Sequence, residues 1–341
     1  MEWFVAPSDA RVEDALAFAD ASRPGAEESE LVEARSALGG IETKALRAAR
    51  AALDPFDNTK LFVCRSALKL AELDAISGFS LRGRFVDVCA APGGFSEYLS
   101  WRGCEGYAMS LRGPNENGVG VDYCGTPCAT VVEGDGTGDI YDRGNARALV
   151  DAANPADVCV ADGGFDSNKN ATDQDAALER LALCEAAIAL SVLGPGGAFV
   201  LKLFLPLRSR GTVRIVAACA AAFDRVAILK PKASRAASGE VYLLALGYRR
   251  DERIAATFHD WADGQDPPPR ASSERSWLDR AFAPYLRSRR ATFIADQADA
   301  CRAILSHARH PIVTEDAARF VEEWRLSSRA TTKKRRRGAR R

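Results

Sequence analysis

The sequence has no apolar run long enough to span a bilayer, and its opening, MEWFVAPSDARVEDALAF, has no basic segment followed by an apolar one. Neither a transmembrane helix nor a secretory leader is expected, and the compartment read from the sequence is intracellular. There is no second CxxC-like pair to join Cys124 and Cys128, the one close pair among nine cysteines, and there are only three histidines, His259, His307 and His310. No metal site is therefore expected, and Cys89, Cys159 and Cys184, set in apolar stretches, read as reduced core thiols rather than a disulfide framework. Also missing is GxGxxG with an acidic residue about twenty positions on, which disfavours a dinucleotide and with it hydride chemistry.

What is present is a foldable chain: 341 residues, 47% hydrophobic, enough for one large α/β domain with additions. The net charge of zero conceals an asymmetry. Arg329–Arg341 holds eight of the 46 Lys/Arg and none of the 46 Asp/Glu, so the preceding 328 residues carry 38 basic against 46 acidic side chains. An acidic body thus precedes a basic tail, 329–341, that cannot bury apolar surface and is expected to be disordered. The tail reads as an arm for RNA phosphates, a nuclear address or a solvated end.

Residues 1–45 are acidic and helical in period, an N-terminal extension with no assignable chemistry. From Leu46 to Ser77 a helical pattern runs through ALRAARAALDPFDN and KLFVCRSALKLAELDAI, with Lys69 among the apolar positions. Strands and helices then alternate. RFVDVCA, GYAMSL, ATVVEG, DVCVADG, GAFVLKLF, RVAILK and EVYLLALGY read as seven strands, most of them continuous apolar runs suited to burial on both faces. Helical stretches FSEYLSWR, YDRGNARALVDAA, ATDQDAALERLALCEAAIALSVL and TVRIVAACAAAF lie between them. The pattern predicts a Rossmann-like, doubly wound α/β fold over 46–250 with a seven-stranded, mostly parallel sheet, which binds ligands at the carboxyl ends of its strands. Beyond Tyr248 the alternation stops, and GQDPPPR leads into a C-terminal helical region, 251–328.

The first strand ends in DVCAAPGGFSEYL, where Pro92, Gly93 and Gly94 turn directly into a helix. Glycines admit a ligand close to the backbone, and the N–H groups of a helix start suit an anionic group such as a carboxylate. PGG alone is also an ordinary strand-to-helix turn. After the third strand, EGDGTGDIYD sets Asp135 and Asp139 on a glycine-rich loop, where carboxylates can accept bonds from an amino group or a ribose hydroxyl, with Asp139 the first choice. The fourth strand ends on Asp162, the fifth carries Lys202 inside AFVLKLF, and the seventh opens on Glu240. Any one of these reads equally well as a structural ion pair. Three near one crevice, with Lys69 from the preceding helix, point to a site.

The order Lys69, DVCAAPGGFSEYL, VADGGF with Asp162, FVLKLF with Lys202 and SRAASGEVY with Glu240 resembles the FtsJ-like 2'-O-methyltransferases and their Lys-Asp-Lys-Glu tetrad. RAARAALDPFDNTKLFVCRSALKLAELD, GGFSEYLSWR, SLRGPN and VADGGFD followed by LALCEAAIALSVL are similar to the narrower group of eukaryotic mRNA cap-1 2'-O-methyltransferases, over roughly Leu46–Tyr248. The resemblance implies S-adenosylmethionine as cofactor, held at Ala91, Pro92, Gly93, Gly94, Phe95 and Asp139, with Asp135 beside them, and Lys69, Asp162, Lys202 and Glu240 as catalytic residues. It implies capped mRNA as substrate, touched by Arg47, Arg50, Thr172, Gln174, Arg235 and Ser238, and contacts with RNA polymerase or the capping machinery; the basic tail adds the expectation of a nuclear location, or of a cytoplasmic one for a viral enzyme. Ala52 stands where that group has an arginine, so recognition of the cap guanine or triphosphate is expected to differ.

A 2'-hydroxyl is a poor nucleophile facing an activated methyl, so the implied chemistry needs a proton acceptor and in-line alignment. Lys202 is the expected base. Burial and Lys69 would lower its pKa while Asp162 and Glu240 would raise it, and the sequence leaves that net direction open. Ribosomal or transfer RNA ribose, the second cap nucleotide, and a non-catalytic RNA-binding protein of the same fold are the alternative readings.

Overall fold

The computed structural model describes residues 1–8, 10–18, 24–56, 61–78, 81–113, 122–164, 174–265, 276–310, 320, 323–324 and 326. All seven expected strands form: β1 (Arg84–Val88), β2 (Glu105–Met109), β3 (Ala129–Val131), β4 (Ala156–Ala161), β5 (Leu193–Phe204), β6 (Phe223–Leu229) and β7 (Glu240–Tyr248). They make one sheet in the order β3-β2-β1-β4-β5-β7-β6, parallel except for β7, which runs antiparallel to both neighbours. β5 opens at Leu193, four residues before GAFVLKLF. The basic tail lies outside the described residues.

Alternate residues of the central strands face two cores. Cys159, Ala161, Phe199 and Leu201 join α7 (Gln174–Val192) and α8 (Arg210–Ala222), whereas Val158, Val160, Ala198 and Val200 join α4 (Ser66–Ser77) and α5 (Gly94–Trp101). Burial on both faces is why these strands read as apolar runs. The chain winds outward from β1 to β2 and β3, then returns to β4 and β5 on the other side. The carboxyl ends of β1 and β4 therefore flank a topological switch point, the crevice where such sheets bind ligands.

The helical period read from Leu46 to Ser77 resolves into two helices, α3 (Thr43–Ala52) and α4. Pro55 brings no N–H to a continuing helix, and the Asp54 carboxylate accepts the Phe56 N–H at 3.0 Å and pairs with Arg65, which fixes the break. The flanking helices share the core of α7 and α8. α1 (Val12–Ala17) packs on α8, α9 (Glu252–Ala262) on α7, and α10 (Ala283–Arg309), entered through a π-helical turn at Leu278–Phe282, lies on α3 and on α2 (Ala26–Leu38). Phe4 bridges to Val226 of β6 and packs against Trp277, Phe282 and Tyr285.

Two buried polar residues of α10 reach into the sheet's loops. Arg290 donates from Nε to the Pro206 carbonyl and from Nη2 to the Leu207 carbonyl, both at 2.8 Å, and Gln297 donates to the Ala237 carbonyl at 2.8 Å. α10 thereby pins the loop leaving β5 and the loop entering β7, the strands that carry Lys202 and Glu240.

Candidate active site

Three loops converge beyond β1, β2 and β3. The Ala90 N–H donates to Met109, the Ala91 N–H to Ser110 Oγ at 3.1 Å, and the Arg112 N–H to the Thr137 carbonyl at 2.7 Å. Gly93 adopts φ 109°, and a Cβ there would sit 3.1 Å from the Tyr123 ring; a Cβ on Gly138 would lie 2.0 Å from the Ser110 carbonyl oxygen. Both positions need glycine, for backbone angle and for close approach. Pro92 and Gly93 thus lead into the first turn of α5, whose N–H groups have no partner within the helix. Phe95 is buried against Tyr242, so only its backbone faces the loops.

Asp139 stands half-buried at the far side and accepts the Tyr141 N–H at 2.9 Å. Asp135 is fully exposed, and its Oδ1 accepts from the Thr137 N–H, the Thr137 hydroxyl and Asn145 Nδ2, bonds that hold its carboxyl below the usual range and knit the loop. Sequence reasoning assigned no role to Asp87 of β1. Burial pushes its carboxyl up to about 7, against bonds from the Ser96 N–H at 2.9 Å and hydroxyl at 2.6 Å.

Lys69, Asp162, Lys202 and Glu240 meet in one cluster. Lys69 Nζ lies 2.8 and 2.9 Å from the Glu240 carboxylate oxygens and 4.0 Å from Asp162 Oδ2. Lys202 Nζ donates to the Asp162 carbonyl at 2.6 Å and lies 3.1 Å from Asp162 Oδ1. Tyr242, directly across from Lys202 in the β5–β7 register, is the hub: its hydroxyl donates to Asp162 Oδ1 at 2.6 Å and accepts from Lys69 at 3.1 Å. Tyr242 went unnoticed in the sequence because an aromatic in an apolar strand reads as core.

Burial alone would lower the Lys202 pKa, but the charges of Asp162 and Glu240 outweigh it and the net shift is upward. Burial pushes Glu240 the other way, upward, yet Lys69 and Lys202 hold it well below the carboxylate range, and Ser234 donates to its Oε1 at 2.7 Å. Lys230, at the β6 exit, donates to the Ser238 carbonyl and the Glu240 carbonyl, each at 2.7 Å; burial lowers it to about 7, against Glu240 and together with Lys69.

Beside Ser234 opens a groove of about 780 Å³. Arg47 and Arg50 of α3, with Lys232, Arg235 and Ser238 of the loop before β7, line one part, and Ala300, Ala303 and Ile304 of α10 line another. Four of the expected substrate residues are thus gathered in one place. The Ser238 hydroxyl donates to the Arg235 carbonyl at 2.8 Å and accepts from Lys230, so it shapes the groove's rim. Gln174 is the first residue of α7, and Thr172 lies outside the described residues.

The FtsJ-like methyltransferase family profile matches residues 62–248. Cap-specific mRNA (nucleoside-2'-O-)-methyltransferase 1 of Drosophila melanogaster is 32% identical over 227 residues, covering 58% of this chain and 28% of that protein. The Homo sapiens protein of the same name is 36% identical over 182 residues, covering 48% of this chain and 21% of that protein. The chain therefore spans about a quarter of the length of these relatives. In structure, a ribosomal RNA methyltransferase of Plasmodium falciparum aligns over 55% of this chain and 99% of that chain, at 18% identity and a TM-score of 0.41.

Proposed function

The chain belongs to the FtsJ-like methyltransferase family, and we propose that it methylates the ribose 2'-hydroxyl of the first transcribed nucleotide of capped mRNA, with S-adenosylmethionine as donor. One observation carries the reading: the Lys69, Asp162, Lys202 and Glu240 cluster is joined through Ser234 to a large groove with four basic side chains at its wall. The cradle on the other side fits the cofactor by its donor set. First-turn N–H groups of α5 suit a carboxylate, Asp139 suits hydroxyl or amino donors, and Gly93 and Gly138 let a ligand lie on the backbone.

In this reading Arg47, Arg50, Lys232 and Arg235 take the RNA phosphates, and the apolar face of α10 offers a surface to the terminal base. When bound, the cofactor supplies an activated methyl and a positive charge that favours the neutral amine of Lys202. Lys202 Nζ, oriented by the carbonyl and carboxylate of Asp162, accepts the 2'-hydroxyl proton. Lys69, held by Glu240 and Tyr242, balances the charge of Asp162.

The test is a short RNA offered with and without an N7-methylguanosine cap, with labelled S-adenosylmethionine, and a map of the methylated ribose. Labelling of the first nucleotide of the capped RNA alone is expected. Equal labelling of uncapped RNA would remove the cap from the assignment, and no labelling of any RNA would remove the activity.

A further inference from the structure

Glu185 is an ionisable residue packed where apolar ones prevail. It lies on α7, is only 1% exposed, and accepts the Gly163 N–H on Oε1 at 3.0 Å. Gly163 follows Asp162. A Cβ on Gly163 would stand 2.2 Å from Glu185 Oε1 and 3.0 Å from Cys89 Cβ, and one on Gly164 would stand 3.0 Å from Lys202 Nζ. The turn after β4 is therefore pressed by Glu185 on one side and by Lys202 on the next residue. Glu185 and Lys202 also line one cavity of about 10 Å³, with Asp175 and Thr212 among its walls, room for a single water at most.

We propose that Glu185 is a positioning residue for methyl transfer: it fixes the turn whose Asp162 carbonyl and carboxylate grip Lys202, and its ionisation governs how readily Lys202 gives up its proton. The inference rests on the reading of Lys202 as the base. The groups facing Glu185 are Lys202 on β5, Asp162 beyond β4, Cys89 after β1, Cys159 in β4, Tyr141 before α6 (Arg143–Ala153) and its own neighbour Cys184. Burial pushes the Glu185 carboxyl up to about 8, with Asp162 adding to the rise, while the charge of Lys202 and the Gly163 bond pull it down.

The consequence has a definite sign. At neutral pH Glu185 carries its proton and adds no anion beside Lys202. Above about pH 8 it ionises, and a third carboxylate, added to Asp162 and Glu240, then holds the ammonium form of Lys202 more tightly. A glutamine at this position keeps an acceptor for Gly163 and cannot ionise, whereas an aspartate ionises and falls one methylene short.

The 341-residue chain is followed by the ¹⁵Nζ resonance of Lys202, assigned by its loss in Lys202→Arg, alongside the pH–rate profile on capped RNA. In Glu185→Gln the Lys202 midpoint is expected to fall by about 1 pH unit. The alkaline rise in kcat moves down with it. In Glu185→Asp kcat is expected to drop roughly tenfold across the profile, with affinity for S-adenosylmethionine retained. An unmoved ¹⁵Nζ midpoint in Glu185→Gln, or full kcat in Glu185→Asp, overturns the proposal. A wild-type protein inactive on every RNA overturns the reading of Lys202 as base instead, and the midpoint still decides whether Glu185 governs its proton.

Discussion

Tyr242→Phe removes one oxygen from the centre of the cluster and changes no packing volume. Tyr242 is completely buried, and its hydroxyl makes two bonds to charged groups, one from Lys69 at 3.1 Å and one to Asp162 at 2.6 Å. Bonds of that kind contribute about 1.5–3 kcal/mol each when a partner is left bare. Neither partner is left bare here: Lys69 keeps both oxygens of Glu240, and Asp162 keeps Lys202. The combined loss should therefore stay below the sum for two such bonds, at about 2 kcal/mol. Expressed as unfolding stability, that lowers Tm by roughly 3 °C for a chain of this size. If the same energy is lost from the aligned transition state, kcat falls about 30-fold. The assay is single-turnover transfer of labelled methyl to capped RNA, paired with thermal unfolding and cofactor binding. Wild-type Tm together with wild-type kcat would refute the reasoning, because it would mean that Lys69 and Asp162 hold their places without the hydroxyl.

Lys202→Ala is expected to abolish transfer while S-adenosylmethionine still binds, and full activity in that variant would exclude Lys202 as the base. Lys230 tests the electrostatics through stability. Its native pKa near 7 lies below its ordinary value of 10.5, so between these limits the unfolded chain binds more protons and stability rises with pH. Urea unfolding at pH 7 and pH 9 should show that rise in the wild type and a flatter response in Lys230→Met; equal slopes would place Lys230 in solvent. Ile304→Asp, which sets a carboxylate in the groove wall, is expected to raise KM for capped RNA about tenfold, a cost near 1.4 kcal/mol, with kcat and cofactor affinity unchanged. An unchanged KM would remove α10 from the substrate path.

The strand count, their doubly wound arrangement and the meeting of Lys69, Asp162, Lys202 and Glu240 were legible because each charge interrupts an apolar pattern whose period is otherwise regular. The same signal marks Glu185, a carboxylate within LALCEAAIALSVL, but an amphipathic helix tolerates one polar position more readily than a buried strand does, and the residue passes as surface. Tyr242 and Asp87 carry no such mark, since a tyrosine in a strand and an aspartate at a strand end have common structural explanations. The break between α3 and α4 was visible in Asp54 and Pro55 but was obscured by helical spacing on both sides. The far wall of the groove could not be read at all, because nothing local in Ala300, Ala303 and Ile304 says that α10 comes back across the sheet.

That return has a consequence for how the protein can be divided. The family-matched segment ends at residue 248, and a chain cut there keeps every charged member of the cluster. It would lose Arg290, whose guanidinium is the stay between the β5 exit and the rest of the molecule, and Gln297, which does the same for the approach to β7. The family-matched segment is therefore not expected to hold the geometry of this cluster when cut out by itself. The cluster is braced by a helix that lies beyond the matched segment, so swapping or trimming the region after Tyr248 is an operation on the candidate active site.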